Sequence, residues 1–280
     1  MIQFDPDRDH LFWSDRILVC WSGLWSEAAF TPAILVRTKL KSLKVWTKQE
    51  AKDDTNNLLY GYTRHQTQSL IEEHLDGRDY KTYTFQNDED SGPLPFVISD
   101  VMGLETTESG GVHSDDIINI LKGHIKEDYK FNPGAPLSEH DIGYNQNPHV
   151  TDKVHCLISI IPADKISLMQ NGVIEKMRTI REKARDLGIP QVVIMTKVDE
   201  ACQLVKNDMK KIYTSTKIRQ KMDECHSKLG VPLNCIFPVK NYHEETSLNP
   251  EVDCVILDAL KHILNFAHDC MITLVPPVKQ

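Results

Sequence analysis

The chain is predicted to be an α/β protein, a three-layer sandwich around a largely parallel central sheet. Two continuous apolar runs, Val154-His-Cys-Leu-Ile-Ser-Ile-Ile161 and Gln191-Val-Val-Ile-Met195, have the character of strands covered on both faces. Amphipathic helical segments alternate with the strands, and that order calls for parallel strands joined by helical crossovers. At 280 residues, 40% hydrophobic and 26% charged, the chain can bury a core of this kind.

The elements follow in order. Arg16-Ile-Leu-Val-Cys-Trp21 reads as a first strand, and residues 22–79 lack clear patterning. Tyr80–Phe85 alternates and is rich in strand formers. The turn cluster Asn87–Pro93 joins it to the apolar run Leu94–Ser99 as a hairpin. Ile166–Leu187 places Leu168, Val173, Ile174, Met177, Ile180 and Leu187 on one helical side, then stops at Gly188 and Pro190. Tyr213–Leu229 and Val252–Phe266 read likewise, with Asn234–Phe237 as the last strand. The expected organisation is a tail over 1–15, one domain over 16–270 with an insert near 105–152, and a tail over 271–280.

Charge and cysteine content narrow the class. The net charge of −8 disfavours nucleic acid and anionic membranes as partners. The basic stretch Lys206–Lys221 alternates with acids and apolar residues, as solvated faces do. The seven cysteines are odd in number, widely spaced and without a CxxC pair, which fits reduced thiols in the cytoplasm rather than a disulfide framework or a zinc site. No apolar stretch reaches membrane-spanning length, and the first twenty residues show no signal pattern. His113, His140, His149 and His155 have no metal-ligand spacing and read as loop or core residues.

Two short strings at strand ends carry chemistry. Asp100-Val-Met-Gly103 follows Leu94–Ser99, so Asp100 emerges at the carboxyl rim of the sheet, where open α/β sheets bind ligands. An aspartate there holds Mg through water, and Gly103 lets a backbone N–H approach a terminal phosphate. Alone the string is weak, since a strand-end aspartate opening a turn looks the same. Thr196-Lys197-Val198-Asp199 is more specific. The Asp199 carboxylate suits the ring and amino N–H groups of guanine, and the Lys197 stem can lie on the base. The competing role for Asp199 is a helix N-cap before Glu200-Ala-Cys. Pro238-Val-Lys240-Asn241 follows the last strand, where a further loop covers a base, and Lys240 joins the candidate set. Together these point to a P-loop NTPase fold of G-domain type.

The phosphate loop such a fold needs is degenerate. At the expected place, Trp21-Ser-Gly-Leu-Trp-Ser-Glu-Ala28, Trp21 and Ser26 replace glycines, Glu27 replaces the lysine and Ala28 the Mg-binding hydroxyl. A carboxylate about 4 Å from a phosphate charge costs on the order of 4 kcal/mol at an effective dielectric near 20. Guanine contacts return about 1.5–3 kcal/mol per charged hydrogen bond, so GTP or GDP with Mg is expected to bind weakly at most. Leu104 stands where a water-orienting glutamine commonly follows the glycine. Thr82 or Thr84 is a candidate Mg-reaching threonine, with strand formation as the ordinary alternative. No catalytic residue is assigned, and GTPase activity is not expected.

The strings Leu94–Glu105, Asp115–Gly123, Tyr129–Asn132, Asp152–Cys156 and Met195–Asp199 resemble the interferon-induced protein 44 and 44-like family over roughly residues 80–270. The resemblance implies a GTPase-like domain, a cytoplasmic location and a role in the interferon-linked antiviral response. It names no protein partner and leaves self-association open. Longer members carry a TLDc-type domain ahead of the G domain, for which this chain has no room. Where family members resemble G-P-V-G-A-G-K-S-S-F, residues 21–30 agree only at Phe30. A shifted reading frame across residues 20–60 would account for that mismatch and for four tryptophans within the first 46 residues. The alternative function is a nucleotide-free pseudo-GTPase acting as an interaction module.

Overall fold

The computed structural model describes residues 33–38, 79–86, 93–101, 103–104, 111–242 and 249–274. Six strands form one sheet: β1 (Ala33–Thr38), β2 (Lys81–Gln86), β3 (Pro93–Asp100), β4 (Cys156–Pro162), β5 (Gln191–Thr196) and β6 (Ile236–Pro238). Their spatial order is β2-β3-β1-β4-β5-β6. β2 and β3 make the hairpin that the turn cluster predicts, with Thr82 opposite Ser99 and Tyr83 opposite Ile98. β4, β5 and β6 are parallel neighbours, joined by helical crossovers.

The sheet is mixed, which corrects the largely parallel one expected. β1 lies between β3 and β4 and is antiparallel to both. Consequently β3, β4, β5 and β6 point one way, whereas β1 and β2 point the other. β1 falls in the stretch that shows no pattern in the sequence. Its six residues, Ala-Ile-Leu-Val-Arg-Thr, have no polar alternation to announce a strand, and pairing on both sides buries Leu35 and Val36 completely. The first strand expected at 16–21 lies outside the described residues.

Six α-helices are described: α1 (Ser114–Lys122), α2 (Asn171–Asp186), α3 (Val198–Ala201), α4 (Gln203–Asn207), α5 (Thr216–Leu229) and α6 (Pro250–Leu274). α1 lies within the expected insert. Asp115 and Asp116 occupy its first turn, favourable to the helix dipole, and Gly123 ends it at φ 84°. α2 begins at Asn171, later than the periodicity suggests. Ile166–Leu168 forms a 3-10 turn instead, and Leu168 is 71% exposed rather than buried with the helix. α5 is capped by the Ser215 hydroxyl, which accepts from the Ile218 N–H, and by Gly230 at φ 71°. Its last carbonyls are also held from α2, where Arg178 Nε donates to Lys228 O at 2.6 Å and Arg181 donates to Leu229 O.

α1 packs on α2 and α2 on α5, while α6 lies across β1 and β4. The α6 stripe Val252, Ile256, Ala259, Leu260, Ile263 and Ala267 recurs every three or four residues and is buried. Each large aliphatic side chain removed from water in this way contributes about 1.5–3 kcal/mol. α6 runs to Leu274, beyond both the periodicity seen to Phe266 and the boundary expected at 270.

A polar network lies beside the apolar centre. The Arg37 guanidinium on β1 donates to Thr82 Oγ1 at 2.6 Å and Ser99 Oγ at 2.9 Å, and it sits 5.6 Å from the centroid of the Tyr80 ring. Glu127, from the insert, accepts the Thr82 N–H at 2.5 Å. This network spans β1, β2, β3 and the insert; hydroxyls accept from one guanidinium nitrogen, while Arg37 Nε is buried without a hydrogen-bond partner.

Candidate functional site

The strand directions gather the candidate residues on one rim. Asp100 ends β3, Thr196 ends β5, and Lys240 follows β6; all three strands run the same way. Asp100 is not level with Thr196, however. Its register runs through Ile34 and Ile158 to Val192, four residues short of Thr196. With about 3.3 Å per residue and three strand spacings of about 4.8 Å, the two backbones stand about 19 Å apart.

Asp100 is desolvated, which pushes its carboxyl up to about 7. Its Oδ1 accepts the Val101 N–H at 2.8 Å, which acts in the opposite direction. No cation opposes it among the causes of that shift. The Gly103 carbonyl accepts the Val112 N–H at 3.1 Å, and Leu104 is buried opposite Gly111 in an isolated bridge. Leu104 is thus a core residue. Thr82 binds Arg37 and Ser99 through its hydroxyl, and Lys81, not Thr82, stands opposite Asp100. That hydroxyl is engaged in the Arg37 network, in keeping with the strand-forming alternative for Thr82.

The second string is built around an unusual backbone. Lys197 has φ 54° and ψ 38°, a left-handed conformation uncommon outside glycine, at the turn between β5 and α3. Its ammonium stands 3.9 Å from Glu200 Oε1. Lys197, not Asp199, occupies the N-cap position, and no side chain caps α3. Asp199 therefore lies inside the first turn, half-buried, with no hydrogen bond or ion pair among the described residues. The helix-cap explanation for this aspartate does not hold.

Three buried polar atoms just past neighbouring strand ends lack hydrogen-bond partners: Thr196 Oγ1, Asp164 Oδ1 and Asn241 Oδ1. They come from consecutive strand ends that the backbone ties together. The Ala163 N–H donates to Thr196 O and the Val239 N–H to Met195 O, each at 2.7 Å. Asp164 and Asn241 are absent from the sequence-derived set, yet the signal that selected Asp100 applies to Asp164, an acid two residues past a continuous apolar strand. The Tyr242 hydroxyl accepts the Asn249 N–H at 2.6 Å and donates to Asp253 Oδ1 at 2.8 Å, closing the segment that enters α6.

The fit to a nucleotide with Mg is uneven. The unpartnered polar atoms that follow β4, β5 and β6 are closed off from solvent, so a base would reach them only after a rearrangement. At the β3 end, Asp100 offers a single carboxylate, and no group of three His, Cys, Asp or Glu suited to a metal occurs among the described residues. Mg bound there would take most of its oxygens from phosphates and water. The degenerate loop residues Trp21, Ser26, Glu27 and Ala28 lie outside the described residues.

The remaining candidates behave as ordinary structure. His113 caps α1, and His149 caps the 3-10 turn Val150–Asp152. His155 is buried, with Nε2 3.0 Å from Val150 O, and burial pushes it down to about 4. Cys156, Cys202, Cys225, Cys235, Cys254 and Cys270 are free thiols. In the basic stretch, Lys210 pairs with Glu251, Lys211 with Asp208, and Arg219 with Asp223, as a solvated face requires.

Fold and site define an α/β protein with a mixed six-stranded sheet and its polar loop residues collected on one rim. Interferon-induced protein 44 of Mus musculus is 33% identical over 190 residues, 68% of this chain and 44% of the relative. The Homo sapiens protein of the same name is 33% identical over 221 residues, 78% of this chain and 49% of the relative. Interferon-induced protein 44-like of Homo sapiens is 28% identical over 190 residues, 68% of this chain and 42% of the relative. The chain belongs to the interferon-induced protein 44 and 44-like family. It spans about half the length of these relatives. No protein-family model matches it, and no solved structure matches it.

Proposed function

We propose that the chain acts in the interferon-linked antiviral response, in the cytoplasm, through a GTP-binding-type fold whose guanine-reading corner is retained. The relatives' names support the first part. The second rests on Thr196-Lys197-Val198-Asp199 at the carboxyl rim, with Lys197 left-handed and the Asp199 carboxylate unpartnered among the described residues. Asp199 would accept the guanine N–H groups, Lys197 and Lys240 would flank the base, and Asp100 with Gly103 would mark the phosphate end. A bound nucleotide with Mg would supply the phosphate charge that Asp100 meets through the metal. Titration of a fluorescent GTP analogue, with and without Mg, tests the reading on this chain and on Asp199→Asn. Saturable binding that Asp199→Asn abolishes supports it; binding indifferent to that change removes it.

A second reading is favoured by one observation. Phosphate loops follow the carboxyl end of a strand and lead into a helix. Between β3 and β4, the rim receives the amino end of β1 instead. On this reading the fold is a nucleotide-free interaction module, with protein partners or a second copy as its ligands. No saturation up to about 1 mM, the affinity a few unsupported contacts provide, supports it.

A further inference from the structure

We propose that His155 and the turn Val150–Asp152 form an acid-released latch, which ties the insert to the sheet and lets it go when His155 takes up a proton. His155 immediately precedes β4 and is buried. Its backbone N–H donates to Val36 O at 2.9 Å, and its Nε2 donates to Val150 O at 3.0 Å. The side chain thus pins the turn while the backbone belongs to the β1–β4 ladder. The antiparallel register that pairs Val36 with Cys156 sets His155 opposite Arg37.

Much of the insert hangs on that turn. The Lys153 N–H donates to Val150 O at 3.3 Å and the Val154 N–H to Leu121 O at 3.2 Å, so the turn meets the end of α1. Asp152 Oδ2 accepts from the His149 N–H at 2.8 Å and from Asn145 Nδ2 at 3.3 Å. The same Asn145 amide donates to Gly123 O at 3.2 Å. Gly123 lies so close that a Cβ there would meet the Asp152 backbone at 2.9 Å. His149 Nδ1 accepts the Thr151 N–H at 3.4 Å, a role open only to an unprotonated nitrogen.

A charged His155 is poorly accommodated in the closed form. Across the ladder it faces Arg37, a charge of the same sign, while Glu127 is taken up by the Thr82 N–H on the far strand. On the turn itself, Asp152 is engaged by His149 and Asn145. Burial holds His155 neutral down to about 4; the Val150 carbonyl draws the proton on, and Arg37 repels it. Once the turn swings out, the imidazole returns to 6.5. Falling pH therefore favours the open form, about thirtyfold more at pH 5 than at pH 7.5. Proton uptake at Asp100 has the opposite sign, stabilising the fold as pH falls, so it does not loosen the turn. The β4–β5–β6 ladder begins past the turn and keeps its own pairing, which confines the release to the insert.

Hydrogen exchange of the full chain by NMR, corrected for the intrinsic pH dependence of exchange, tests the latch between pH 7.5 and pH 5. Protection of the Lys153 and Val154 amides is expected to fall about thirtyfold, while the β5 amides keep theirs. His155→Gln retains a side-chain N–H for Val150 O but does not titrate, so its profile should be flat. His149→Asn retains a capping side chain and should leave most of the slope in place. Unchanged protection in the native chain, or an equal loss in β5, overturns the latch. So does a slope that survives His155→Gln. Should that variant not fold, nitrogen chemical shifts of the native chain decide. A neutral His155 with its proton on Nε2 at pH 5 supports the latch, and a charged one in the folded chain overturns it.

Discussion

Asp100 and His155 are both perturbed by burial, and they respond to pH in opposite senses. The folded carboxyl of Asp100, at about 7 against 3.8, holds a proton that the unfolded chain releases. Stability therefore falls as pH rises through that window, by up to about 4 kcal/mol above pH 7. His155, at about 4 against 6.5, refuses a proton that the unfolded chain binds. Stability from this residue is complete above pH 6.5 and falls by up to about 3 kcal/mol as pH drops to 4. Asp100→Asn is expected to leave stability unchanged at pH 4 and raise it at pH 7.5. It should also unmask the His155 slope as a steady gain between pH 4 and 6.5. Urea unfolding across this range checks the prediction; identical profiles for the two proteins would refute it. Asp199 shows how far residue-level reading extends. Its identity and its place after a strand were legible, but that it does not cap the following helix depended on the left-handed turn at Lys197.

Among the elements, those with strong periodicity were legible: β4, β5, α2, α5 and α6 are all present, though α2 starts later and α6 runs further than apolar spacing places them. β1 was not, because six residues between unpatterned flanks carry little local signal and gain strand form from partners on both sides. Helix ends give a sharper test of local rules. Gly123 closes α1 at φ 84°, and a Cβ there would meet Asp152 C and O at 2.9 Å. Gly188, after α2, has φ 73° but nothing within 4 Å. Gly188→Ala is expected to cost about 1 kcal/mol from backbone strain alone. Gly123→Ala adds a backbone collision and should cost about 2–4 kcal/mol. Equal losses in urea unfolding would show that the insert yields to the added methyl group.

For the molecule as a whole, the decisive feature is the direction of β1, antiparallel to both of its neighbours. It also makes a chemical prediction. Val36 stands opposite Cys156, whereas Leu35 points to the other face. Val36→Cys, refolded in a glutathione redox buffer, should form a disulfide with Cys156, seen as a mass loss of about 2 Da in the linked peptides. Leu35→Cys should not. A Leu35→Cys cross-link without one from Val36→Cys would mean the register or direction differs. The α/β class, the order β2, β3, β4, α2, β5, α5, β6 and α6 and the family kinship were all present in the residue order, since strand runs, turn clusters and helix stops act between near neighbours. The reversal of β1 and the side-by-side placing of the segments that follow β4, β5 and β6 came only from tertiary pairing. Both depend on strands distant in the chain sharing hydrogen bonds, and local patterning does not encode which strand lies beside which.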